Sequence, residues 1–306
     1  MLITGALGAV GVWTARSLLE RGHEVVALDA GDDTHRLPVA LTEQQAATLI
    51  RVRADVTDLG AVERVIDEHD VRGVVHLAAL QVPFVRADPA LGTRVNVLGT
   101  VNVFEAVRRR SGRVGPVVYA SSIAVYGAGG TLAADDLPGT LYGVQKRDNE
   151  GTAFRYFGDY GVSSIGLRPH TVYGPGRDQG LTSSPTTATM AAAAGVAYRI
   201  SFGGGAQLQY APDVGEVFAR AAELDYEGAS VHDLGGPVVT MAELAELLDP
   251  ALITAGEDPL PFPADVDGGS LAALLGETVS RPVRESVTDA RAHFERLLAD
   301  GVVKLP

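Results

Sequence analysis

The sequence predicts an α/β protein whose core is a doubly wound parallel sheet, and three observations support this fold class. Short apolar segments rich in β-branched residues alternate with longer segments of helical periodicity, as in parallel sheets that helices cover on both faces. A glycine-rich turn joins the first strand to the first helix. After residue 168 the alternation gives way to short helices between Gly- and Pro-rich turns, which predicts a smaller C-terminal lobe.

Six strands and four helices are predicted in the first part of the chain, and their order favours βαβ units. The predicted strands are Met1–Thr4, Glu24–Leu28, Ile50–Ala54, Gly73–Leu77, Pro116–Ala120 and Ser163–Leu167. The predicted helices between them are Val10–Arg21, Leu59–Glu68, Asn96–Arg110 and Tyr142–Tyr160. The helices predicted later are Pro185–Ala194, Pro212–Leu224, Met241–Leu248, Ser270–Leu275 and Val287–Leu298. We therefore divide the chain into a sheet domain, residues 1–168, and a lobe, residues 169–306, from which some segments return to the sheet.

The composition excludes several classes of protein. The chain has 306 residues and a net charge of −13, and a negative surface repels the phosphate backbone of nucleic acids. No apolar run approaches the roughly 18 residues that span a bilayer, and the N-terminus lacks the basic start of a signal peptide. The absence of cysteine excludes disulfides and Cys-based zinc sites. No His, Asp or Glu spacing predicts a metal site, and the cytoplasm is the expected compartment.

The turn at residues 4–11 has the Gly-x-x-Gly-x-x-Gly spacing of a dinucleotide-binding turn. Gly5 permits the tight turn, Gly8 lets backbone N–H groups approach a pyrophosphate, and Gly11 lets the helix pack closely on the strand. The predicted pyrophosphate contacts are Gly5, Gly8, Ala9, Val10 and Gly11. Because the chain has 36 glycines, the prediction depends on the flanking strand and helix rather than on the spacing alone.

Asp29 ends the second predicted strand and is a candidate for binding the adenosine ribose. A carboxylate at this place accepts hydrogen bonds from ribose hydroxyls and repels a 2′-phosphate, which favours NAD over NADP. The alternative for Asp29 is a turn former before Ala30 and Gly31. Arg36, in the loop that follows, is the one feature that favours NADP.

Two other strand ends carry small or acidic residues that suit a cofactor. Asp55 and Val56 follow the third predicted strand, and Leu77, Ala78 and Ala79 end or follow the fourth. Open α/β sheets bind ligands at the carboxyl ends of their strands. We therefore predict cofactor contacts at these five residues, although small residues packed under a helix are an alternative explanation.

A second group of residues is a candidate for catalysis. It consists of Ser121 and Ser122, after the fifth predicted strand, and of Tyr142 and Lys146. Tyr and Lys four residues apart share a helical face, and a nearby ammonium lowers the pKa of a phenol from about 10. We therefore expect Lys146 to lower the pKa of Tyr142 and to hold the nicotinamide ribose. Such a phenol moves a proton at an alcohol or carbonyl while NAD moves the hydride. Lys146 is one of only two lysines among 25 basic residues, which argues against a merely solvated cation.

At these residues the chain resembles the extended short-chain dehydrogenase/reductase family, also called NAD-dependent epimerase/dehydratases. The motifs that carry the resemblance are Thr4-Gly-x-x-Gly-x-x-Gly11, Asp55-Val-Thr-Asp58, His76-Leu-Ala-Ala79, Asn96-Val-Leu-Gly-Thr100, Ser121-Ser-Ile-Ala-Val-Tyr-Gly127, Tyr142-x-x-x-Lys146 and Leu167-Arg-Pro-His-Thr-Val-Tyr-Gly-Pro175. The resemblance implies a Rossmann fold, NAD as cofactor, and Ser122, Tyr142 and Lys146 as the catalytic trio. It implies further cofactor contacts from Leu77, Ala78, Asn96, Ser121, Pro169 and His170. It also implies a homodimer formed through the helices near Asn96–Arg110 and Tyr142–Tyr160.

Two departures from the family pattern narrow the chemistry. Ile123 and Ala124 follow Ser122, where sugar-nucleotide dehydratases carry Asp-Glu, so the acid and base for eliminating water are missing. Ala206 stands seven residues before Asp213, where sugar-nucleotide members often place an arginine that binds the diphosphate. The candidates to replace that arginine are Arg281 and Arg284.

The polar loop Arg177–Ser183 is a candidate substrate contact, with Arg177 as its cation. It suits the hydroxyls of a small polyol or sugar, or it caps the helix that follows. The sequence leaves three hypotheses of function: an NAD-dependent oxidoreductase acting on a secondary alcohol or ketone of a carbohydrate-like substrate, a nucleotide-sugar epimerase that retains NAD, and a non-catalytic dinucleotide sensor. The expected partners are a sugar or sugar nucleotide and a second copy of the chain, with Ser122, Tyr142 and Arg177 contacting the substrate.

Overall fold

The computed structural model describes residues 1–127, 129–276 and 281–304. Its strands, in chain order, are β1 (Leu2–Thr4), β2 (Val26–Asp29), β3 (Ile50–Arg53), β4 (Val74–His76), β5 (Val117–Ala120), β6 (Ser164–Arg168), β7 (Thr171–Tyr173), β8 (Tyr198–Arg199), β9 (Gly205–Tyr210), β10 (Ala229–Asp233), β11 (Val238–Thr240) and β12 (Ile253–Thr254). Seven of these strands form one sheet in the order β10-β6-β5-β4-β1-β2-β3. Every pairing within it is parallel.

Helices connect these strands and cover both faces of the sheet. In chain order they are α1 (Ala9–Glu20), α2 (Leu37–Ala40), α3 (Glu43–Thr48), α4 (Leu59–Glu68), α5 (Val82–Ala87), α6 (Pro89–Thr93), α7 (Gly99–Arg108), α8 (Leu141–Tyr160), α9 (Ser184–Ala194), α10 (Ala211–Ala222), α11 (Met241–Leu248), α12 (Gly269–Leu275) and α13 (Val283–Ala299). A π-helical turn over Arg94–Leu98 leads into α7. The predicted doubly wound parallel sheet is confirmed, and it is a Rossmann fold.

Alternate residues of the central strands point to opposite faces of the sheet, because side chains alternate along a strand. In β4, Val74 packs into the apolar cluster beneath α4 and α7, whereas Val75 packs into the cluster beneath α1 and α10. The helices α1 and α10 approach closely at Gly215, where a Cβ atom would lie 2.5 Å from the carbonyl carbon of Trp13. Both faces are therefore covered, which explains the continuous apolar character of the strands.

The C-terminal part of the chain contributes strands both to small sheets of its own and to the main sheet. One three-stranded sheet has the order β11-β9-β7, and a two-stranded sheet joins β12 to β8. The strand β10 instead extends the main sheet by pairing with β6 from Ala229↔Ser164 to Asp233↔Arg168. The residues after 168 therefore build a small lobe and also complete the edge of the large sheet.

Candidate active site

The turn between β1 and α1 has the shape that the glycine spacing predicts. Gly5 has φ +67°, and a Cβ atom there would lie 2.7 Å from the backbone of Ala78. A Cβ atom on Gly11 would lie 2.4 Å from the carbonyl oxygen of Gly5. The turn therefore leaves an open cradle at the N-terminus of α1, where free backbone N–H groups and the helix dipole favour a phosphate group.

A cleft of about 390 Å³ runs from this cradle along the carboxyl ends of β1 to β6. The predicted site residues that line it are Gly5, Gly8, Ala9, Val10, Gly11, Asp29, Asp55, Val56, Leu77, Ala78, Ala79, Ser121, Ser122, Tyr142, Lys146, Pro169, His170 and Arg177. The structure thus brings the glycine turn and the predicted catalytic trio into one cleft. Its position at the carboxyl edge of the sheet is the place where open α/β sheets bind ligands.

Asn96 is the predicted cofactor residue that the structure does not place on this cleft. Its side chain is 1 % exposed. Its Oδ1 accepts a hydrogen bond from Leu80 N at 2.7 Å, and its Nδ2 donates to Leu80 O at 2.9 Å and to Gln145 Oε1 at 2.8 Å. These bonds fix the loop after β4, and the cofactor contact implied for Asn96 stays a prediction.

Asp29 lies at the end of β2 with its carboxylate on the rim of the cradle. Its Oδ2 accepts a hydrogen bond from Leu7 N at 3.1 Å, and its Oδ1 accepts one from Gly31 N at 3.1 Å. Arg36, the residue that favoured NADP, is instead paired with Asp178 at 2.5 Å and bonded to Gly176 O at 3.1 Å. Asp29 therefore lines the cleft while Arg36 is held by another carboxylate, and this arrangement is consistent with the ribose-binding role predicted for Asp29.

Tyr142 is the second residue of α8, and its phenol lies beside the Ser122 hydroxyl in the cleft. Burial raises the pKa of Tyr142 above its usual value, while a hydrogen bond with Ser122 and the positive charge of Arg177 oppose the rise. The predicted lowering by Lys146 is wrong for this arrangement, because loss of hydration destabilises the phenolate more than these neighbours stabilise it. The Lys146 Nζ atom lies 5.7 Å from the centre of the Tyr142 ring.

Lys146 is 4 % exposed and donates a hydrogen bond to Ala120 O at 2.7 Å. Burial lowers the pKa of Lys146 to about 8, and the charge of Glu150 opposes this shift. The bond to the end of β5 orients the ammonium, which has three donors. Nζ makes no other hydrogen bond to the residues that the structure describes, so two donors remain for groups in the cleft.

The two adjacent serines have different surroundings. The Ser121 hydroxyl donates to Glu150 Oε1 at 2.5 Å, and Glu150 also forms a bidentate ion pair with Arg168, with both N···O distances 2.7 Å. Ser122 Oγ accepts a hydrogen bond from Ala124 N at 3.2 Å and faces Tyr142. The serine predicted as catalytic is therefore the one beside the phenol, and its neighbour belongs to a buried ionic network.

His170 lines the cleft, but both of its ring nitrogens have protein partners. Its Nε2 lies 2.8 Å from Pro263 O, and its Nδ1 lies 3.1 Å from Thr171 Oγ1. Because a carbonyl oxygen only accepts, Nε2 carries the hydrogen. Burial lowers the pKa of His170 to about 4, so the ring is neutral and serves packing near the cofactor end.

Several residues of the cleft were missed by the sequence analysis. They are Leu28, Ala30, Ala54, Leu80, Gln81, Val82, Val95, Ala120, Ile123, Ala124, Val172 and Phe262. Leu80 and Gln81 follow the predicted Ala79, so the same motif could have indicated them, and Leu181 and Thr182, which also line the cleft, belong to the predicted loop Arg177–Ser183. Phe262 comes from an irregular Pro-rich segment, and nothing in its local sequence indicates a site.

The candidates for a diphosphate site lie elsewhere. Ala206 is fully buried in β9. Arg281 pairs with Asp213 at 2.9 Å and with Asp289 at 2.7 Å, and it lines a separate cavity of about 250 Å³. Two carboxylates therefore neutralise Arg281, and the other candidate to replace the missing arginine, Arg284, is exposed in the first turn of α13.

The sequence of the chain matches a known protein family. The sequence model of the NAD dependent epimerase/dehydratase family matches residues 1–234. The chain belongs to this family. The suggested resemblance is thereby confirmed, and NAD and enzymatic activity are properties of the family. The cradle, the carboxylate of Asp29 and the cleft fit that cofactor.

Relatives of this epimerase/dehydratase family member include UDP-glucuronate 4-epimerase 2 from Arabidopsis thaliana, which is 31 % identical over 184 residues. That match covers 57 % of this chain and 42 % of the relative, so the chain spans less than half of its length. A UDP-glucose 4-epimerase from Thermus thermophilus, in complex with NAD, is 25 % identical, with a TM-score of 0.79, over 96 % of this chain and 98 % of that chain. A partial-consensus L-threonine 3-dehydrogenase has a TM-score of 0.83 at 23 % identity over 96 % and 99 %, which shows the same fold.

His76, at the end of β4, provides a test of stability against pH. It is 3 % exposed, and it bonds Thr4 Oγ1 at 2.7 Å and Thr100 Oγ1 at 3.1 Å. Burial and the charge of Lys146 lower its pKa to about 3 from the usual 6.5. The unfolded chain therefore binds a proton at this histidine between these values while the folded chain does not, so stability falls as the pH falls through this window.

As the pH falls from about 6.5 to about 4, we expect the unfolding free energy of His76→Asn to decrease less than that of the parent protein. Urea denaturation at several pH values measures this difference in slope, independently of any loss of stability at neutral pH. His69→Asn, at a partly exposed residue, is the control. Equal slopes for His76→Asn and the parent protein would contradict the prediction.

Proposed function

We propose that the chain catalyses hydride transfer between NAD and a secondary alcohol or ketone of a carbohydrate-like substrate, with Tyr142 as the acid/base. The observation that carries the proposal is the meeting of the glycine cradle with Ser122, Tyr142 and Lys146 in one cleft. A dinucleotide bound along the carboxyl edge of the sheet from the cradle would bring its nicotinamide towards the phenol.

The cradle formed by Gly5, Gly8 and Gly11 would hold the pyrophosphate, because it lines the cleft at the N-terminus of α1, where the first backbone N–H groups of a helix and its dipole favour an anion. Asp29 would accept hydrogen bonds from the adenosine ribose, and Lys146 would donate to the nicotinamide ribose. Bound NAD supplies the hydride acceptor and donor. The small side chains of Ala78 and Ala79 leave room for the cofactor against the loop after β4.

Tyr142 would take the proton from the substrate hydroxyl in oxidation and return it to the carbonyl oxygen in reduction. Ser122 would donate a hydrogen bond to the same oxygen and orient it. Because burial raises the pKa of Tyr142, the phenolate depends on nearby positive charge. Arg177 supplies such a charge, and Lys146, with a pKa of about 8, would add a second one in the same cleft below that pH.

A second candidate function is epimerisation of a nucleotide sugar, with the hydride returned to the opposite face of the substrate. The relatives support it, since one is named UDP-glucuronate 4-epimerase 2 and a solved one UDP-glucose 4-epimerase. The buried Ala206 and the paired Arg281 weigh against a diphosphate site. The third hypothesis, a sensor without catalysis, gives no reason for the trio to converge.

Incubation of the protein with NAD and a panel of sugars, sugar acids and UDP-sugars separates these functions. Accumulation of NADH with a free substrate supports the oxidoreductase. Conversion of a UDP-sugar without net NADH supports the epimerase. Cofactor binding with no turnover of any substrate would leave the sensor hypothesis.

We also propose a homodimer formed through α7 and α8 and the turn before α7. These elements carry exposed apolar residues: Leu98, Leu141, Val144, Phe154 and Tyr160. Apolar patches of this kind mark interaction surfaces, and light scattering would give about twice the mass of one chain.

None of the described helices is long and apolar enough to cross a membrane. A cytoplasmic location is a further proposal, which rests on the cysteine-free sequence.

A further inference from the structure

Arg177 is a cation whose hydrogen-bond partners are all neutral. In the described part of the chain, its Nη1 donates to Gln81 Oε1 at 3.1 Å and to Gln179 O, and its Nη2 donates to Thr182 Oγ1 at 3.3 Å. Asp178 is adjacent in sequence, but its carboxylate is occupied by Arg36 and His35, at 2.5 Å and 2.8 Å. Burial lowers the pKa of Arg177 below its usual value, and the nearby charge of Asp178 opposes this shift. None of the carboxylates of the described residues is hydrogen-bonded to the guanidinium itself.

The hydrogen bonds of Arg177 leave one edge of its guanidinium available. Nη1 has two hydrogens and two acceptors, whereas Nη2 has two hydrogens and one acceptor among the described residues. Nε makes no hydrogen bond to them. Nε and Nη2 form the edge that binds a carboxylate through two parallel hydrogen bonds.

The loop around Arg177 is shaped to hold that guanidinium. Gly180 has φ +99°, and a Cβ atom there would lie 2.1 Å from Gln81 Oε1 and 2.9 Å from Arg177 Nη2. A side chain at residue 180 would displace the Arg177–Gln81 pair. The loop after β7 and the loop after β4 therefore meet around a fixed, partly buried cation.

Arg177 lies in the same cleft as the proposed catalytic residues. The charges of Arg177 and Tyr142 influence each other, and both residues line the same cleft as Ser122. An anion on the free edge of Arg177 would therefore lie close to the oxygen that Tyr142 protonates. A diphosphate, which carries more charge, would call for a second cation, and the candidate Arg281 is paired with Asp213 and Asp289.

We propose that Arg177 binds a carboxylate of the substrate, and that the substrate is a hydroxy acid of the sugar-acid class with its carboxylate near the reacting carbinol. This inference rests on the proposed function for the position of the carbinol. The acid is either free or the uronate part of a nucleotide sugar. The other anion within reach of this cleft is the pyrophosphate of NAD, and the experiment distinguishes these sources.

The test compares pairs of probes that differ at one carbon, which is a carboxylate in the acid and an uncharged hydroxymethyl group in its neutral partner: D-gluconate with D-glucitol, D-galacturonate with D-galactose, and UDP-glucuronate with UDP-glucose. Binding to the NAD-loaded protein is measured as stabilisation against heat, which needs no turnover. We expect the parent protein to prefer at least one acid over its neutral partner by at least about tenfold. The pair that shows the preference tells a free acid from a UDP-uronate.

Arg177→Gln is expected to abolish this preference while leaving the affinity for NAD unchanged. Arg177→Lys keeps the charge but not the two-pronged edge, so it should restore only part of the preference. Gly180→Ala keeps the arginine and displaces it, which reproduces the loss even if Arg177→Gln folds poorly. Arg86→Gln, at an exposed residue of α5, is the control and should behave as the parent protein.

Two results would overturn the proposal. One is an equal affinity of the parent protein for every acid and its neutral partner. The other is a weaker affinity of Arg177→Gln for NAD with the acid preference intact, which would assign the arginine to the cofactor pyrophosphate. If only the proposed function is wrong, the result is different: the parent protein binds an acid but transfers no hydride.

Discussion

Tyr142→Phe is expected to lower turnover by about 10²–10⁴-fold, the usual contribution of a general acid/base. The substitution removes the hydroxyl that faces Ser122 and keeps the ring above Lys146. Steady-state rates with any substrate that the panel identifies measure the effect. NAD affinity should remain close to that of the parent protein, because the cradle and Asp29 lie at the other end of the cleft.

Tyr160→Phe is a matched control, since it removes a hydroxyl from the same helix at a residue that is 54 % exposed. It should leave turnover unchanged. Equal turnover of Tyr142→Phe and the parent protein would refute the acid/base role and restore the sensor hypothesis. A loss of NAD binding in Tyr142→Phe would instead place the phenol in cofactor binding.

Gly11→Ala is expected to have the second large effect, on stability and on cofactor binding together. The new Cβ atom would lie 2.4 Å from Gly5 O and 2.7 Å from Ala6 O, so the turn must move away from the helix. Overpacking of this kind costs about 1–3 kcal/mol of unfolding free energy. Because the displaced turn is the one that would approach the pyrophosphate, we also expect NAD affinity to fall by about tenfold or more.

Gly158→Ala is the control for a glycine-to-alanine change within a helix. Residue 158 lies in α8, and its Cβ atom would meet only the side chain of Arg155, at 3.7 Å. Alanine should stabilise the protein here by about 0.5–1 kcal/mol, because glycine loses more conformational freedom in a helix. Chemical denaturation and calorimetric titration with NAD measure both variants, and unchanged NAD affinity in Gly11→Ala would contradict the assignment of the cradle.

The sequence motifs predicted most strands of the main sheet, because strand and turn formation depends largely on neighbouring residues. The six predicted strands lie within two residues of β1 to β6, and α4 and α11 have the predicted bounds. Strand β10 was missed because its sequence, Ala229-Ser-Val-His-Asp233, has no apolar run. Its pairing with β6 is a tertiary contact, and neither periodicity nor propensity reports such a contact.

The same limit applies at the candidate site. The family resemblance implies a cofactor contact at Asn96, which stays a prediction, but the bonds of its side chain to Leu80 depend on the path of another loop. The spacing of Tyr142 and Lys146 predicts their proximity, but the pKa of the phenol depends on burial, which sums over the whole cleft. Phe262 reaches the cleft from the far end of the chain.

The position of β10 has a consequence for how the chain folds. Its partner β6 precedes it by 65 residues at Ser164↔Ala229, and the central pairing Leu2↔Val74 also joins distant segments. Contacts this far apart make loop closure slow, so acquisition of the native sheet should be slower than in a helical bundle. A fragment ending at residue 168 would leave the hydrogen-bonding edge of β6 without its neighbour, and an unpaired edge promotes aggregation. We therefore expect the two parts of the chain to unfold in a single cooperative transition rather than as separable modules.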